Sequence, residues 1–395
     1  MAALDIARLR AETPACEKLI HFNNAGSSLM PKPVYQALLD HLALEQSIGG
    51  YEAEDDACPV LEDFYDAFAT LLNCDRTEIA YVENATRAWD MAFYSLPLKE
   101  GDRILTAEAE YVSNFLGFLH QARRRGLGID VVPSDASGQL DLDAMNRLVT
   151  SRTKLIAITH IPTQGGLVNP AEEVGKIARL HGITYLLDAC QSAGQMPLDI
   201  ERIGCHLLSG TGRKFMRGPR GTGFLYVSNA ILEQLDPPFI DLHAATWTDA
   251  RSYEIRPDAR RFENWESFVG GRVGLRAAVR YALELGLEPV RARIAMLADR
   301  LRAQLADLPG IRVQDLGRVR SGIVTFTKED ELPRAVQARL HAAGINVSVS
   351  SRSSAQLDFG RRGLSQVVRA SVHYFNTEEE ISIFCNTLYP GMRNT

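Results

Sequence analysis

The chain has 395 residues, 46% apolar and 23% charged, with a formal net charge of −6. That length needs more than one simple core, and the balance argues against a disordered chain and against nucleic acid or an anionic membrane surface as partner. No run of about eighteen apolar residues occurs, and the charged N-terminus lacks the apolar stretch of a signal peptide, so we expect a cytoplasmic protein with no membrane partner.

Six cysteines are scattered with no CxxC pair, which suits free thiols in a reducing compartment. The nine histidines show no HxxxH or HExxH spacing, so no metal centre is expected.

In chain order, Phe22 to Pro33 (FNNAGSSLMPKP) reads as a loop before a helix from Val34 to about Gln46. It is either a plain connection or the lining of a site, since Asn23, Asn24 and Gly26 offer polar groups without bulk. SIGGY (47–51) breaks the next helical run, which resumes near Cys58 and ends at Asn73. A strand from Glu78 to Val82 leads to Asn84, Ala85 and Thr86, which open a helix with Trp89, Ala92, Phe93 and Leu96 on one face. A small polar residue there caps the helix, or the free N–H groups hold a phosphate; both readings stand.

A strand from Arg103 to Ala107 precedes Glu110 and Tyr111, the latter placed for packing or for stacking on a planar ligand. Strands Ile129–Val132 and Leu155–His160, a helix Pro170–Leu180 and an apolar run Ile183–Leu187 ending on Asp188 follow. Lys214 then sits in a glycine-rich turn before a last apolar run, Gly223–Val227. This alternation from about 78 to 227 predicts a mainly parallel α/β sheet, whose strand ends gather functional groups. Phe239 to Asn264 reads as an extended loop or interface. Helices at 268–285 and 287–308 lead into a smaller α+β region: strands 311–313, 322–327, 345–350 and 367–373, helices 333–343 and 377–388. The expected division is a large domain of 21–285 and a small one of 286–395 joined by 1–20.

A lone strand-end acid and a lone lysine are ordinarily structural. What singles out Lys214 is its company of Gly210, Gly212 and Gly218 with Thr211 and Arg213, where backbone, hydroxyl and guanidinium converge into an anion site. A lysine there could form a Schiff base with a planar carbonyl compound, with a carboxylate keeping the ring nitrogen protonated. GTGRK lacks the spacing of a P-loop, and GPRGTG that of a dinucleotide fingerprint.

DACQ (188–191) with RKFMRGPRGTGFL (213–225) resembles the class V aminotransferase group of pyridoxal-phosphate enzymes of fold type I, which includes cysteine desulfurases and isopenicillin N epimerase-like proteins. The resemblance runs from FNNAG to RASVHYFNTEEEI (369–381). The GGYEAE stretch (49–54) and the Glu110-Tyr111 pair bring it nearest to the hercynylcysteine sulfoxide lyases within the group.

By that resemblance the fold has a large domain, with a mainly parallel sheet flanked by helices, and a smaller α+β domain. The cofactor is pyridoxal 5′-phosphate. Lys214 would carry it and move the substrate Cα proton, Asp188 would pair with the ring nitrogen and Gln191 would bond the phenolic oxygen. Ala85, Thr86, Thr211 and Arg213 would hold the phosphate, and Tyr111 would stack on the ring and take part in catalysis. Arg369, with Asn24 and Thr163, would bind the amino-acid substrate. The resemblance also implies a homodimer in which Phe262 to Gly271 approaches the partner's cofactor, Glu266 standing where desulfurases have a hydroxyl.

Departures from the group narrow the reaction. The loop VSVSSRSSAQLDFGRRG (347–363) lacks the cysteine on which desulfurases carry sulfur, and Tyr111 replaces the desulfurase histidine. Thr163 replaces an asparagine, and Arg352, Arg361 and Arg362 in or near the loop are either solvated charge or contacts for an anionic substrate tail. The expected activity is a lyase that eliminates a Cβ substituent, with sulfur as its linking atom. Competing with it are an epimerase or aminotransferase on the same site, and a scaffold that binds cofactor without turnover.

Overall fold

In the computed structural model, which describes residues 4–389, the apolar runs bounded by turn residues become strands of one seven-stranded sheet. These are β1 (Ile79–Val82), β2 (Arg103–Ala107), β3 (Gly128–Val132), β4 (Thr153–Thr159), β5 (Thr184–Asp188), β6 (Leu207–Thr211) and β7 (Gly223–Val227). Their order across the sheet is β1-β7-β6-β5-β4-β2-β3. Strand β7 runs antiparallel to both neighbours and the remaining pairs are parallel. The carboxyl ends of the other six strands and the start of β7 therefore share one edge.

Both faces of the sheet are covered, which is why its central strands are apolar throughout rather than alternating. Tyr185 and Leu187 of β5 face a core built with Phe64 and Phe68 of helix α1 (Gly50–Leu72), whereas Leu186 faces Trp89 and Phe93 of α2 (Ala85–Tyr94). Each fully buried leucine contributes roughly 1.5–3 kcal/mol of hydrophobic stabilisation.

A second core surrounds a four-stranded antiparallel sheet: β8 (Ile311–Val313), β9 (Ile323–Lys328), β10 (Ser348–Ser351) and β11 (Gln366–Ser371), in the order β8-β9-β11-β10. Leu297, Leu301 and Leu305 of helix α3 (Leu287–Ala306) pack there with Phe326, Val368 and Phe384. Leu9 and Phe22 join the same core, and the Phe22 and Phe384 rings lie 5.4 Å apart between centroids.

The structure differs from the sequence expectations in four places. The helical break at 47–51 is a single residue: one helix covers Lys32–Ile48, Gly49 turns with φ 106, and α1 begins at once at Gly50. Lys214 does lie in the glycine-rich turn, but a strand not expected from the sequence, β6, leads into it. The segment 239–264 contains a hairpin, Ala245–Asp249 paired with Ser252–Ile255. Part of the 347–363 loop is helical, from Gln356 to Arg362.

Candidate active site

The shared sheet edge collects the chemistry. Asp188 is the last residue of β5 and is buried. Its Oδ1 accepts from the Cys190 backbone N–H and its Oδ2 from Asn114 Nδ2, both at 2.9 Å. Lys214 lies three residues beyond β6 and is 9% exposed. Tyr111 follows β2, and its ring centroid is 5.9 Å from Lys214 Nζ. Together these groups border a cavity of about 150 Å³, also lined by Gln191 and Thr163.

At one end of the cavity the residues suit a phosphate. Asn84 caps α2 by accepting from the Arg87 N–H at 2.9 Å, so the earlier N–H groups at Ala85 and Thr86 stay open. Both residues line the cavity, as do Thr211 and Arg213. The close fit of α2 to the sheet depends on Gly223, where a Cβ would lie 2.8 Å from the Asn84 carbonyl carbon. The cap and anion readings of this helix start are thus compatible, because they use different N–H groups. Thr211 Oγ1 donates to the Thr222 carbonyl at 3.4 Å, and Arg213 donates to the Gly26 carbonyl.

Burial pulls the Lys214 amine below the ordinary lysine value, and the Arg213 and Arg369 charges push the same way against Cys190 and Asp188. A larger fraction is therefore the neutral, nucleophilic amine. Arg369, on β11, is buried; desolvation first, then the Arg213 charge, lowers it to about 10. Its guanidinium donates to Thr163 Oγ1 and, at 3.4 Å, to Asn23 Oδ1, while Nε has no partner. A buried cation held only by neutral acceptors is poised for a carboxylate.

Not every predicted residue comes to the cavity. Asn24 is turned into the fold: its Nδ2 donates to the His21 and Ser371 carbonyls and its Oδ1 accepts from Ser28 Oγ, so its side chain pins the loop. Its neighbour Asn23 meets Arg369 instead. Gln191 does reach the cavity, with Nε2 donating to the Ala25 carbonyl and Thr163 Oγ1 and with Oε1 buried and unpartnered. Asn114 and Thr159 also line it, although no motif or composition signal selects them, and so does Cys190, which lies inside DACQ but was given no role from the sequence. The one local signal is the four-residue spacing of Glu110 and Asn114, one turn apart at a helix start.

A cavity with a buried amine beside an aromatic ring, an acid at one side and open N–H groups at another fits a planar pyridine aldehyde bearing a phosphate. The family described as aminotransferase class-V matches residues 20–384. The chain belongs to that family. Class V aminotransferases are pyridoxal-phosphate enzymes, so this class V protein is an enzyme with pyridoxal 5′-phosphate as cofactor and an amino acid as substrate. Among its relatives, a protein of Xylella fastidiosa named a probable cysteine desulfurase is 31% identical over 97% of this chain and 95% of its own. The apo cysteine desulfurase from Thermococcus onnurineus NA1 superposes with a TM-score of 0.92 at 27% identity, covering 99% of both chains. The cystine C–S lyase C-DES, solved with its product cysteine persulfide, has the same fold, with a TM-score of 0.86 at 24% identity over 95% of this chain and 98% of that one.

Proposed function

We propose that this class V enzyme is a lyase that breaks a Cβ–S bond of an amino acid without carrying the sulfur on a thiol of its own. The placement of its cysteines carries this reading. The 347–363 segment, where desulfurases keep the sulfur-accepting cysteine, has none. Cys190 lines the cavity, but burial, with the Asp188 charge adding to it, pushes its thiol well above the ordinary range. A buried, protonated thiol beside a carboxylate is a poor nucleophile.

In this reading Arg369 and Thr163 hold the substrate carboxylate, and Tyr111, whose ring lies beside Lys214, would stack on the cofactor ring. Ala85, Thr86, Thr211 and Arg213 anchor the phosphate through N–H, hydroxyl and guanidinium donors. Gln191, which lines the cavity, would donate from Nε2 to the phenolic oxygen. When bound, the cofactor supplies an electron sink for the charge that develops at Cα. Lys214 Nζ takes the Cα proton, and Lys214 or Tyr111 returns a proton to the sulfur as the Cβ–S bond breaks. Hydrolysis of the remaining carbon skeleton releases pyruvate and ammonia. The likeness to hercynylcysteine sulfoxide lyases supports the same class of elimination.

The products test this directly. Incubation with cysteine and thioether S-conjugates of cysteine should yield pyruvate and ammonia in equal amounts, with no persulfide on any of the six cysteines. Alanine together with a persulfidated cysteine would overturn the reading in favour of a desulfurase. An inverted amino acid would favour an epimerase, and a transaminated one an aminotransferase.

We further propose that the enzyme is a cytoplasmic homodimer. The six thiols are all unpaired, as suits a reducing compartment. Tyr35, Leu39 and Leu42 form an exposed apolar stripe on the Lys32–Ile48 helix, and Tyr51, Trp265 and Phe268 are exposed as well. Trp265 and Phe268 lie in the segment that the family resemblance directs toward a partner, and an unpartnered stripe of this kind suits a second copy. Light scattering should give twice the chain mass, with Leu39→Glu lowering it; a monomeric wild-type protein at micromolar concentration would contradict the dimer. We also propose the division into a 21–285 cofactor domain and a 286–395 domain with 1–20; the second core draws most of its residues from 286–395 and Leu9 from 1–20, and it reaches across the boundary to Phe22, Ile161 and Phe215; residues 1–3 and 390–395 lie outside the described ones.

A further inference from the structure

A second carboxylate lies behind Asp188. Glu110 is fully enclosed, and five donors converge on it. Its Oε1 accepts from the Tyr111 N–H at 2.7 Å, from Asn114 Nδ2 at 2.9 Å and from Thr159 Oγ1. Its Oε2 accepts from the Thr159 N–H at 3.0 Å and from Thr106 Oγ1 at 3.2 Å. The Asn114 amide that serves Glu110 also serves Asp188, at 2.9 Å in each case. One side-chain NH₂ thus spans two buried acids, with the ends of β2, β4 and β5 and the start of the helix Val112–Arg125 fixing all three groups.

We propose that Glu110 is a positioning residue for the cofactor's ring nitrogen, acting on Asp188 through the shared Asn114 amide. The inference rests on the pyridoxal-phosphate reading of the site and deepens it. Two acids this close do not both carry charge without cost in a dry interior. Asp188 lines the cavity and would pair with a protonated ring nitrogen, whereas Glu110 lies behind it, so Glu110 is the acid free to take up a proton, with the Thr106 and Thr159 hydroxyls in reach to accept from its O–H. Burial pushes the Glu110 carboxyl up to about 7, opposed by the Thr159 and Asn114 hydrogen bonds and reinforced by the Asp188 charge.

Among the described residues Asp188 is the charged group that acts on Glu110 directly. Lys214 and the Cys190 thiol act on Asp188 in turn. Glu108, two residues earlier, turns instead to Arg361 and the Ser134 N–H.

The sign is distinctive. As pH rises through the Glu110 titration, a negative charge appears behind Asp188 and strengthens its hold on the ring proton. The ring nitrogen then becomes more protonated in character as pH rises, the reverse of a simple base.

The test uses holoenzyme reconstituted with pyridoxal phosphate labelled with ¹⁵N in the ring, followed by NMR from pH 5.5 to 8.5. The wild-type resonance should move toward the protonated position in a step near neutrality. Glu110→Gln should abolish the step. Thr106→Val, a similar-sized change that removes one hydroxyl donor from Glu110, should move the midpoint upward by roughly one pH unit. A wild-type resonance without that step, or a step with the same midpoint in Thr106→Val, overturns the proposal while leaving the cofactor reading intact. If Glu110→Gln fails to fold, Thr106→Val still decides. A protein that retains no labelled cofactor would overturn the cofactor reading and this inference with it.

Discussion

Lys214→Ala is expected to give a folded protein that binds pyridoxal phosphate without a covalent bond and turns over roughly 10³–10⁴-fold more slowly. The magnitude is that of losing a positioned general base, and here the same side chain is also the attachment point. Lys214 is buried and lowered by desolvation, so its amine has no surface role that truncation would disturb. The cavity left by its removal faces the cofactor rather than the core. Three readouts separate the outcomes: the visible absorbance of the bound cofactor, its release on gel filtration, and kcat. Full activity in the variant would show that another base moves the proton, and unchanged covalent retention would show that another amine holds the cofactor.

Asp188→Asn is expected to keep the cofactor in place and to lower kcat by roughly 10²–10³-fold, the usual loss when one preorganised electrostatic partner is removed. The carboxylate is fixed from two sides, by the Cys190 N–H and by Asn114 Nδ2. An asparagine can accept from one of them with its oxygen but turns its NH₂ toward the other donor, so a stability loss of about 1–3 kcal/mol accompanies the catalytic one. Thermal melts would separate the two effects: a small fall in Tm with a large fall in kcat is the expected pattern. A kcat within a few-fold of wild type would mean that ring-nitrogen protonation does not limit the reaction.

Much of the fold was legible because buried parallel strands write themselves as short apolar runs between turn residues. The runs at 103–107, 183–188 and 223–227 coincide with β2, β5 and β7 to within a residue. Strand β6 was hidden by its own composition. Ser209, Gly210 and Thr211 read as a turn, yet Gly210 is a strand glycine: a Cβ there would come within 2.2 Å of the Phe224 ring on β7. The start of α1 was obscured for a similar reason. The Gly49-Gly50 pair suggests a long break, with the helical run resuming near Cys58, but the helix starts at Gly50 and runs through Pro59.

At the site, Asp188, Tyr111, Gln191 and Lys214 could be selected because they sit at motif positions and strand ends. Asn24 could not be judged from sequence, since whether an amide faces a ligand or its own backbone depends on a strand 347 residues away, at Ser371. The Glu110–Asn114–Asp188 network was invisible for the same reason. Its local half is a one-turn spacing, but its other half exists only once β4 and β5 lie side by side with Thr159 opposite Asp188.

The central claim is that Lys214 Nζ bonds the cofactor covalently in the cavity between Tyr111 and Asp188. Borohydride reduction of the saturated protein, proteolysis and mass mapping of the labelled peptide test it most directly. The account predicts one phosphopyridoxyl adduct, on Lys214 in the 213–217 segment; an unmodified Lys214, or a label spread over surface lysines, would contradict it.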